Sequence, residues 1–180
     1  MSTTTTTWAI DTSHSSVTFS VRHMMISNVR GEFSRFSGTA TFDAAAPDRS
    51  SVEVEIDLAS IDTHEEKRDA HLRSADFFDV EKHPKMTFRS TSVKKAGDGL
   101  EVHGDLTIRG TTRPVVLAVE GPSSEHADPW GNARIGASAT TKIKRSEFGI
   151  TWNNALEAGG VLVGDEVKIS LDVSLVKQKA

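Results

Sequence analysis

The 180-residue chain lacks several features that would point to particular classes of protein. It has no cysteine, which excludes disulfide bonds, thiolate metal sites and cysteine nucleophiles, and which leaves the redox compartment undecided. Its longest apolar run, residues 115–119, is far shorter than the roughly 18 residues that a membrane-spanning helix requires. With a formal net charge of −4, the chain also lacks the basic excess that binding to nucleic acid or to an anionic membrane surface requires.

The N-terminal segment lacks the features of an export signal. No lysine or arginine precedes Arg22, and threonines fill positions 3–7 where an apolar stretch would be needed. We therefore expect a cytoplasmic protein. We also expect residues 1–7 to be a disordered leader and residues 8–180 to form a single domain, because one domain is the default for a chain of this length.

The common motifs of catalytic and cofactor sites are absent as well. The chain contains no G-x-S-x-G, Walker A or G-x-G-x-x-G sequence. His64-Glu65-x-x-Arg68 differs from the zinc motif H-E-x-x-H at its last position, so that motif fails. His64 and His71 are about two helical turns apart, which is too far for one ion without a third element. We therefore expect no metal, no cofactor and no catalytic residue.

What the sequence does contain is alternation of apolar and polar residues with a period of two, which predicts β-strands with one buried face. The clearest strand is residues 52–58, where aliphatic and acidic residues alternate. The second strand changes its apolar parity after Phe33, so we expect a bulge or kink near Ser34 and Arg35. Altogether the pattern predicts eight strands, over residues 17–21, 29–42, 52–58, 86–88, 100–108, 115–119, 133–143 and 167–175.

One segment between the third and fourth strands predicts a helix instead. Thr63 and Glu66 have the spacing of a capping box, and acidic residues precede basic ones, which suits the helix dipole. A helix of about ten residues is marginal in isolation, so it must dock on the rest of the protein. The apolar residues available for docking are Ala70, Leu72, Ala75, Phe77 and Phe78.

Eight strands joined by short turns favour an all-β fold, as an antiparallel sheet or barrel and not as βαβ units. If the eight strands close into a barrel, the docked helix is a natural cover for its opening. Such a barrel is either filled by its own side chains or holds one small ligand. Small residues on the inferred inner faces favour a cavity, but they would equally accommodate tight packing and strand curvature. These residues are Gly31, Gly38, Ala40, Gly104, Ala133, Ala137 and Ala139.

A series of short motifs, in order along nearly the whole chain, resembles the YceI-like family. They are Trp8-x-Ile10-Asp11, His14-Ser15, Phe19-x-Val21-x-His23, Val29-x-Gly31-x-Phe33, Ser60-Ile61-x-Thr63, Arg68-Asp69-x-His71-Leu72-x-Ser74, Asp76-Phe77-Phe78-Asp79-Val80, Pro84 with Phe88, Gly104-x-Leu106-Thr107-Ile108-x-Gly110 and Arg145-x-x-Phe148-Gly149. The resemblance implies an eight-stranded antiparallel, lipocalin-like barrel with a helix near its opening. It also implies an elongated apolar tunnel that binds polyisoprenoids or related long-chain amphiphiles without catalysis. It also suggests a homodimer. Family members are often exported, and the absence of a signal here departs from that pattern.

The resemblance and the strand parity together give candidate binding residues. We expect apolar side chains to line the tunnel, because a polyprenyl tail can be selected only by shape and apolar area. They are Phe19, Val21, Phe33, Phe88, Leu106, Ile108, Ile135 and Phe148. The alternative for several of them is ordinary core packing.

Further candidates lie at the expected tunnel mouth. Met24 and Met25 suit ligand access, although a core or dimer contact explains them equally well. Phe77 and Phe78 would plug or flank the opening. Three polar residues could meet a head group, namely His23, Arg68 and His71. For these three the alternatives are structural histidines and a surface salt bridge from the arginine.

The leading hypothesis is therefore a non-enzymatic carrier or store for an isoprenoid quinone, a prenyl phosphate or a similar long-chain amphiphile. A second hypothesis is an enzyme that acts on an apolar substrate inside the barrel, with His23 or His71 as the base. A third is a stress-response scaffold in which any cavity is incidental.

Overall fold

The computed structural model describes residues 5–43, 45–156 and 159–179. In chain order, its regular elements there are β1 (Thr6–Ile10), β2 (Ser16–His23), β3 (Ser27–Phe33), β4 (Phe36–Phe42), β5 (Ser51–Asp57), β6 (Ile61–Asp62), α1 (Glu66–Arg73), β7 (Lys85–Ala96), β8 (Gly99–Ile108), β9 (Thr111–Glu120), β10 (His126–Ala127), β11 (Ala133–Lys144) and β12 (Val163–Lys177). Short 3₁₀ turns join several of them, including one at Arg145–Phe148.

The strands form a closed antiparallel barrel with eight positions in its wall. Pairing of β11 with β12 closes it, from Lys144↔Glu166 to Arg134↔Val176. On its other edge, β12 pairs with β2 and then with β1, so these two segments share one wall position. β3 pairs with β2 and β4 pairs with β1, so β3 and β4 share the next position in the wall. The chain breaks between them at Ser34 and Arg35, where the sequence predicts a kink. Together with β5, β7, β8, β9 and β11, this confirms the predicted fold class.

Burial follows the alternation that predicted the strands. In β5, Val54 and Ile56 are buried whereas Glu53 and Glu55 are exposed. The same pattern in the neighbouring strands directs their apolar side chains into one continuous interior cluster. Because the wall is a single layer of sheet, that interior is the lumen of the barrel.

Left-handed backbone marks two of the hairpin turns. Arg109 and Gly110, between β8 and β9, have φ angles of +52° and +73°, the pattern of a type I′ turn. Glycine adopts such angles without steric cost. Met24 and Met25, between β2 and β3, have φ angles of +52° and +62°, where side chains of their size are strained.

Helix α1 is shorter than the sequence predicts and begins differently. Glu65 is its N-cap, and the Glu65 carboxylate accepts hydrogen bonds from two backbone amides of the first turn. The predicted capping box between Thr63 and Glu66 is wrong, because the amide and hydroxyl of Thr63 both donate to the buried carboxylate of Asp69. A tertiary contact thus replaces the local one.

The helix is fixed at one end of the barrel by its last residue and by the segment that follows it. The guanidinium of Arg73 donates to two backbone carbonyl oxygens in residues 59–61, at 3.0 and 3.1 Å. Three of the apolar residues predicted to dock do pack on the core, namely Leu72, Phe77 and Phe78. The other two, Ala70 and Ala75, are exposed.

The start of the barrel lies earlier in the chain than expected. β1 begins at Thr6, and Thr7 pairs with Thr41 of β4, so Thr6 and Thr7 belong to the sheet and not to a leader. Of the rest of the expected leader, Thr5 directly precedes β1, and residues 1–4 lie outside the described residues. No helix in the part of the chain that the structure describes is long and apolar enough to cross a membrane.

Candidate ligand-binding site

The end of the barrel that α1 covers contains an apolar cavity of about 90 Å³, the helix-side cavity. It is lined by Val17, Thr18, Phe19, Val21, Phe33, Leu72, Phe77, Phe78, Met86, Ile108, Ile143, Arg145, Phe148, Ile150, Val163, Val167 and Ile169. Thr18 and Arg145 are the only polar residues in this set. The cavity therefore offers a ligand mainly apolar surface.

A second apolar cavity, of about 120 Å³, occupies the opposite half of the barrel and is called the far cavity. It is lined by Ile10, Thr39, Ala40, Thr41, Phe42, Ser50, Val52, Val54, Val93, Leu100, Val102, Leu117, Val119, Pro122, Ile135, Ala137, Ala139, Leu171, Val173 and Leu175. Ala40, Ala137 and Ala139 are among the small residues whose inward placement the strand parity predicts. At these positions short side chains leave space in the lumen.

The two cavities lie end to end along β12. The inward residues of β12 up to Ile169 line the helix-side cavity, and those from Leu171 onward line the far cavity. Ile169 and Leu171 are neighbours on the same face of the strand. On β7 and β8, however, Phe88 and Leu106 line neither cavity and are 7% and 6% exposed. They are direct cross-strand partners. Phe88 and Leu106 thus lie between the two cavities on this side of the barrel.

The candidate lining residues fall into three groups in the structure. The helix-side cavity contains Phe19, Val21, Phe33, Ile108 and Phe148. The far cavity contains Ile135. Phe88 and Leu106 line neither cavity and lie between the two.

Phe77 and Phe78 line the helix-side cavity. Turns after α1 position them: the Phe78 amide donates to the Leu72 carbonyl at 3.0 Å, and Arg109 donates to the Phe77 carbonyl at 3.1 Å. The Phe78 ring packs edge-on against Phe33, with centroids 6.1 Å apart. This contact attaches the segment after the helix to the inner wall.

The polar residues expected near a head group do not line either cavity. Both Nε and Nη2 of Arg68 donate to Thr63, to its hydroxyl and its carbonyl oxygen, each at 2.7 Å. Nε2 of His71 pairs with Oδ2 of Asp76 at 2.9 Å, and its ring packs edge-on against Trp152, with centroids 4.6 Å apart. Arg68 therefore links α1 to the residue that follows β6, and His71 links α1 to Asp76 and Trp152.

The hairpin between β2 and β3 also lies outside the lining set. His23 is the last residue of β2 and pairs with Ser27. Met24 and Met25 follow it and are 43% and 56% exposed, next to Ile26 at 76%. The methionines thus form an exposed apolar tip at the helix-side end and do not contact the ligand space itself.

Sequence reasoning missed Arg145, which lies in the wall of the helix-side cavity. This side chain is 7% exposed. Its Nε donates to the Gly164 carbonyl at 2.8 Å, and its other nitrogens donate to the carbonyls of Ile150, Trp152 and Val163 at 3.0, 2.9 and 3.1 Å. Burial lowers the pKa of the guanidinium from its ordinary value, and the charge of Asp165 opposes this. Arg145 therefore fixes the loop that completes the wall.

The inward face of β12 was also missed as a site, although the signal was present. Alternation from Val167 to Leu175 predicts the strand, and the same parity identifies the residues that face the lumen. Trp152 offered no such signal, because it lies in a segment without regular structure and contacts His71 only in the folded protein.

One set of side chains in the described residues could hold a metal ion. Ligand atoms of Glu32, Asp62 and His64 lie within 4.8 Å of one another. Glu32 alternates with the inward residues Gly31 and Phe33, so the set lies on the outer surface of β3 and β6, away from both cavities.

Comparison with known proteins decides the family. The model of the YceI-like domain matches residues 8–175. This chain belongs to the YceI-like family. Among curated proteins, the protein YceI of Salmonella newport is 42% identical to this YceI-like chain over 166 residues, which is 92% of the chain and 83% of that protein. A UPF0312 protein of Ectopseudomonas mendocina is 46% identical over 139 residues, or 77% of the chain and 72% of that protein.

Solved structures show the same barrel. BcnA of Burkholderia cenocepacia superposes with a TM-score of 0.79 at 27% identity, covering 92% of this YceI-like chain and 98% of BcnA. A polyisoprenoid-binding domain from Saccharophagus degradans, described as implicated in plant cell wall breakdown, superposes with a TM-score of 0.67 at 16% identity. That match covers 95% of this chain and 98% of the domain, and it shows the shared fold alone.

Proposed function

We propose that this protein binds the apolar tail of an isoprenoid quinone, a prenyl phosphate or a similar long-chain amphiphile inside the barrel, and carries or stores it unchanged. The observation that carries the proposal is the pair of apolar cavities placed end to end along β12. One fold neighbour is named as a polyisoprenoid-binding domain.

Cavity size and lining favour a thin, flexible ligand. Volumes of about 90 and 120 Å³ are below the roughly 300–1,000 Å³ of pockets that enclose drug-sized molecules. A tail that removes its surface from water inside the barrel gains about 25 cal/mol per Å² of apolar area. Because a prenyl tail has no polar atoms, it leaves no hydrogen-bonding group unsatisfied in such a lining.

The alternative of an enzyme requires a base that faces the substrate. His71 has a carboxylate partner, Asp76, but its ring packs against Phe77 and Trp152 and lines neither cavity. His23 also lines neither cavity. Neither histidine therefore supports the second hypothesis, and turnover assays with apolar substrates would test it directly.

Organic extraction and native mass spectrometry of freshly purified protein test the proposal. We expect a co-purifying long-chain lipid, or micromolar binding of an isoprenoid quinone or prenyl phosphate. Ala139→Leu should weaken binding, because residue 139 lines the far cavity, whereas Thr140→Leu changes an exposed neighbour and should not. Recovery of no lipid, together with no binding of either ligand class, would contradict the proposal.

A homodimer and a cytoplasmic location both stay predictions. Mass measurement in solution and fractionation of the native cells would check them.

A further inference from the structure

We infer that Phe88 limits the length of tail that the barrel accepts, because its ring, beside Leu106, lies between the two cavities and must move before one chain can occupy both. This inference rests on the proposed function, and it identifies a residue that would set specificity within the ligand class. It also explains why a residue with inward parity lines neither cavity.

The position of Phe88 along the barrel carries the first step. Met86, two residues earlier on the same face of β7, lines the helix-side cavity, and Val93, after the bulge in β7, lines the far cavity. On the paired strand β8, Ile108 lines the helix-side cavity and Val102 lines the far cavity. Phe88 therefore lies at the level where one cavity ends and the other begins.

The second step is the way in which the ring is held. A Cβ atom built on Gly104 of β8 would lie 2.5 Å from Cζ of Phe88. The ring thus packs directly over the glycine, and no larger residue at 104 would allow this position. On its other side Phe88 pairs with Val54, which lines the far cavity. Phe88 is held between two strands at 7% exposure.

The third step concerns the opposite wall. On β12 the lining passes from Ile169 to Leu171 without an intervening inward residue, a distance of roughly 7 Å along the strand. A chain could therefore continue along β12 from one cavity into the other if the Phe88 side of the lumen gave way. Short tails fit without this movement, whereas long tails need it.

The experiment compares Phe88→Leu and Phe88→Ala with the wild-type protein, using prenyl alcohols of increasing length as probes. Affinity is measured by displacement of a fluorescent apolar probe. In the wild-type protein, we expect affinity to level off once the tail fills one cavity. In both variants it should continue to rise, by about fourfold for each further CH₂ group buried. For the longest alcohol, the gain over wild type should be at least tenfold.

Phe33→Leu is the matched control. Phe33 is buried to the same degree, at 5% exposure, but it lines the helix-side cavity and does not separate the two. It should change the affinity for all lengths and shift the levelling-off point much less than the Phe88 variants do, because it enlarges one cavity without joining it to the other. Urea denaturation checks that each variant is folded. If Phe88→Ala does not fold, Phe88→Leu alone is compared with the wild-type protein.

Three results are distinguishable. A levelling-off point that moves much further in the Phe88 variants than in Phe33→Leu supports the inference. Equal shifts in the Phe88 and Phe33 variants, or a wild-type affinity that rises steadily with length, overturn it. If the wild-type protein binds no prenyl chain of any length, the proposed function fails, and the inference fails with it.

Discussion

Replacing Arg145 by methionine should destabilise the protein strongly. The substitution removes four hydrogen bonds, of 2.8 to 3.1 Å, from one buried guanidinium to carbonyls in residues 150–164. Hydrogen bonds to a charged group contribute about 1.5–3 kcal/mol each, but the desolvation cost of the guanidinium, which the substitution also removes, offsets much of this. We expect a net loss of about 3–5 kcal/mol, because four carbonyl oxygens lose their donor, and an unsatisfied buried polar group costs about 1–3 kcal/mol before any compensation.

Urea denaturation measures this loss. If the slope of unfolding free energy against urea is about 2 kcal/mol per molar, the midpoint should fall by roughly 2 M with an unchanged slope. Arg113→Met is the matched control, because Arg113 makes a single exposed hydrogen bond to the Glu147 carbonyl, at 3.2 Å. Its loss should stay near 0.5 kcal/mol or below, as is typical of surface substitutions. A loss below about 1 kcal/mol for Arg145→Met would refute the role assigned to this residue.

The remaining predictions concern other parts of the barrel. Gly104→Ala should cost about 1–3 kcal/mol in urea denaturation, because its Cβ would overlap the ring above it; Gly136→Ala, with its nearest neighbour atom at 3.7 Å, is the control, and equal stability of the two would contradict this. The hydrogen bond from Arg134 lowers the pKa of Asp128 from 3.8 to about 2, so stability should fall as pH drops from about 4 towards 2. Asp128→Asn should lose part of that pH dependence, and an unchanged profile in urea midpoints would be evidence against it. The double variant Met24→Asn, Met25→Gly should be more stable by about 1 kcal/mol, because Asn and Gly suit a type I′ turn, and its thermal midpoint should rise. A lower midpoint would show that the contacts of the methionine side chains matter more.

The strands could be predicted from the sequence because burial of one face imposes a period of two on each of them. The same logic located the break near Ser34 and Arg35, where the apolar parity changes. It could not place the start of β1, because Thr6 and Thr7 carry no apolar pattern and are held by pairing with β4. Nor could it predict that Asp69 would take the hydroxyl of Thr63 away from the helix N-terminus.

The candidate site was predictable only in part, because parity tells which side chains face the lumen but not whether the lumen is open at their level. By the apolar–polar alternation of their strands, Phe88 and Phe33 both face the lumen. Only the folded chain shows that Phe33 lines the helix-side cavity whereas Phe88 lines neither cavity. Arg145 was missed for a similar reason, since its four carbonyl partners come together only in the folded chain.

An electron-density map of the protein crystallised with a prenyl alcohol or an isoprenoid quinone tests the central claim most directly. We predict continuous tail density beside Ile169 in the helix-side cavity, and, for a long tail, density that extends past a displaced Phe88 ring to Leu171 and the far cavity. An empty lumen, or a tail bound only on the outer surface of the barrel, would contradict the account.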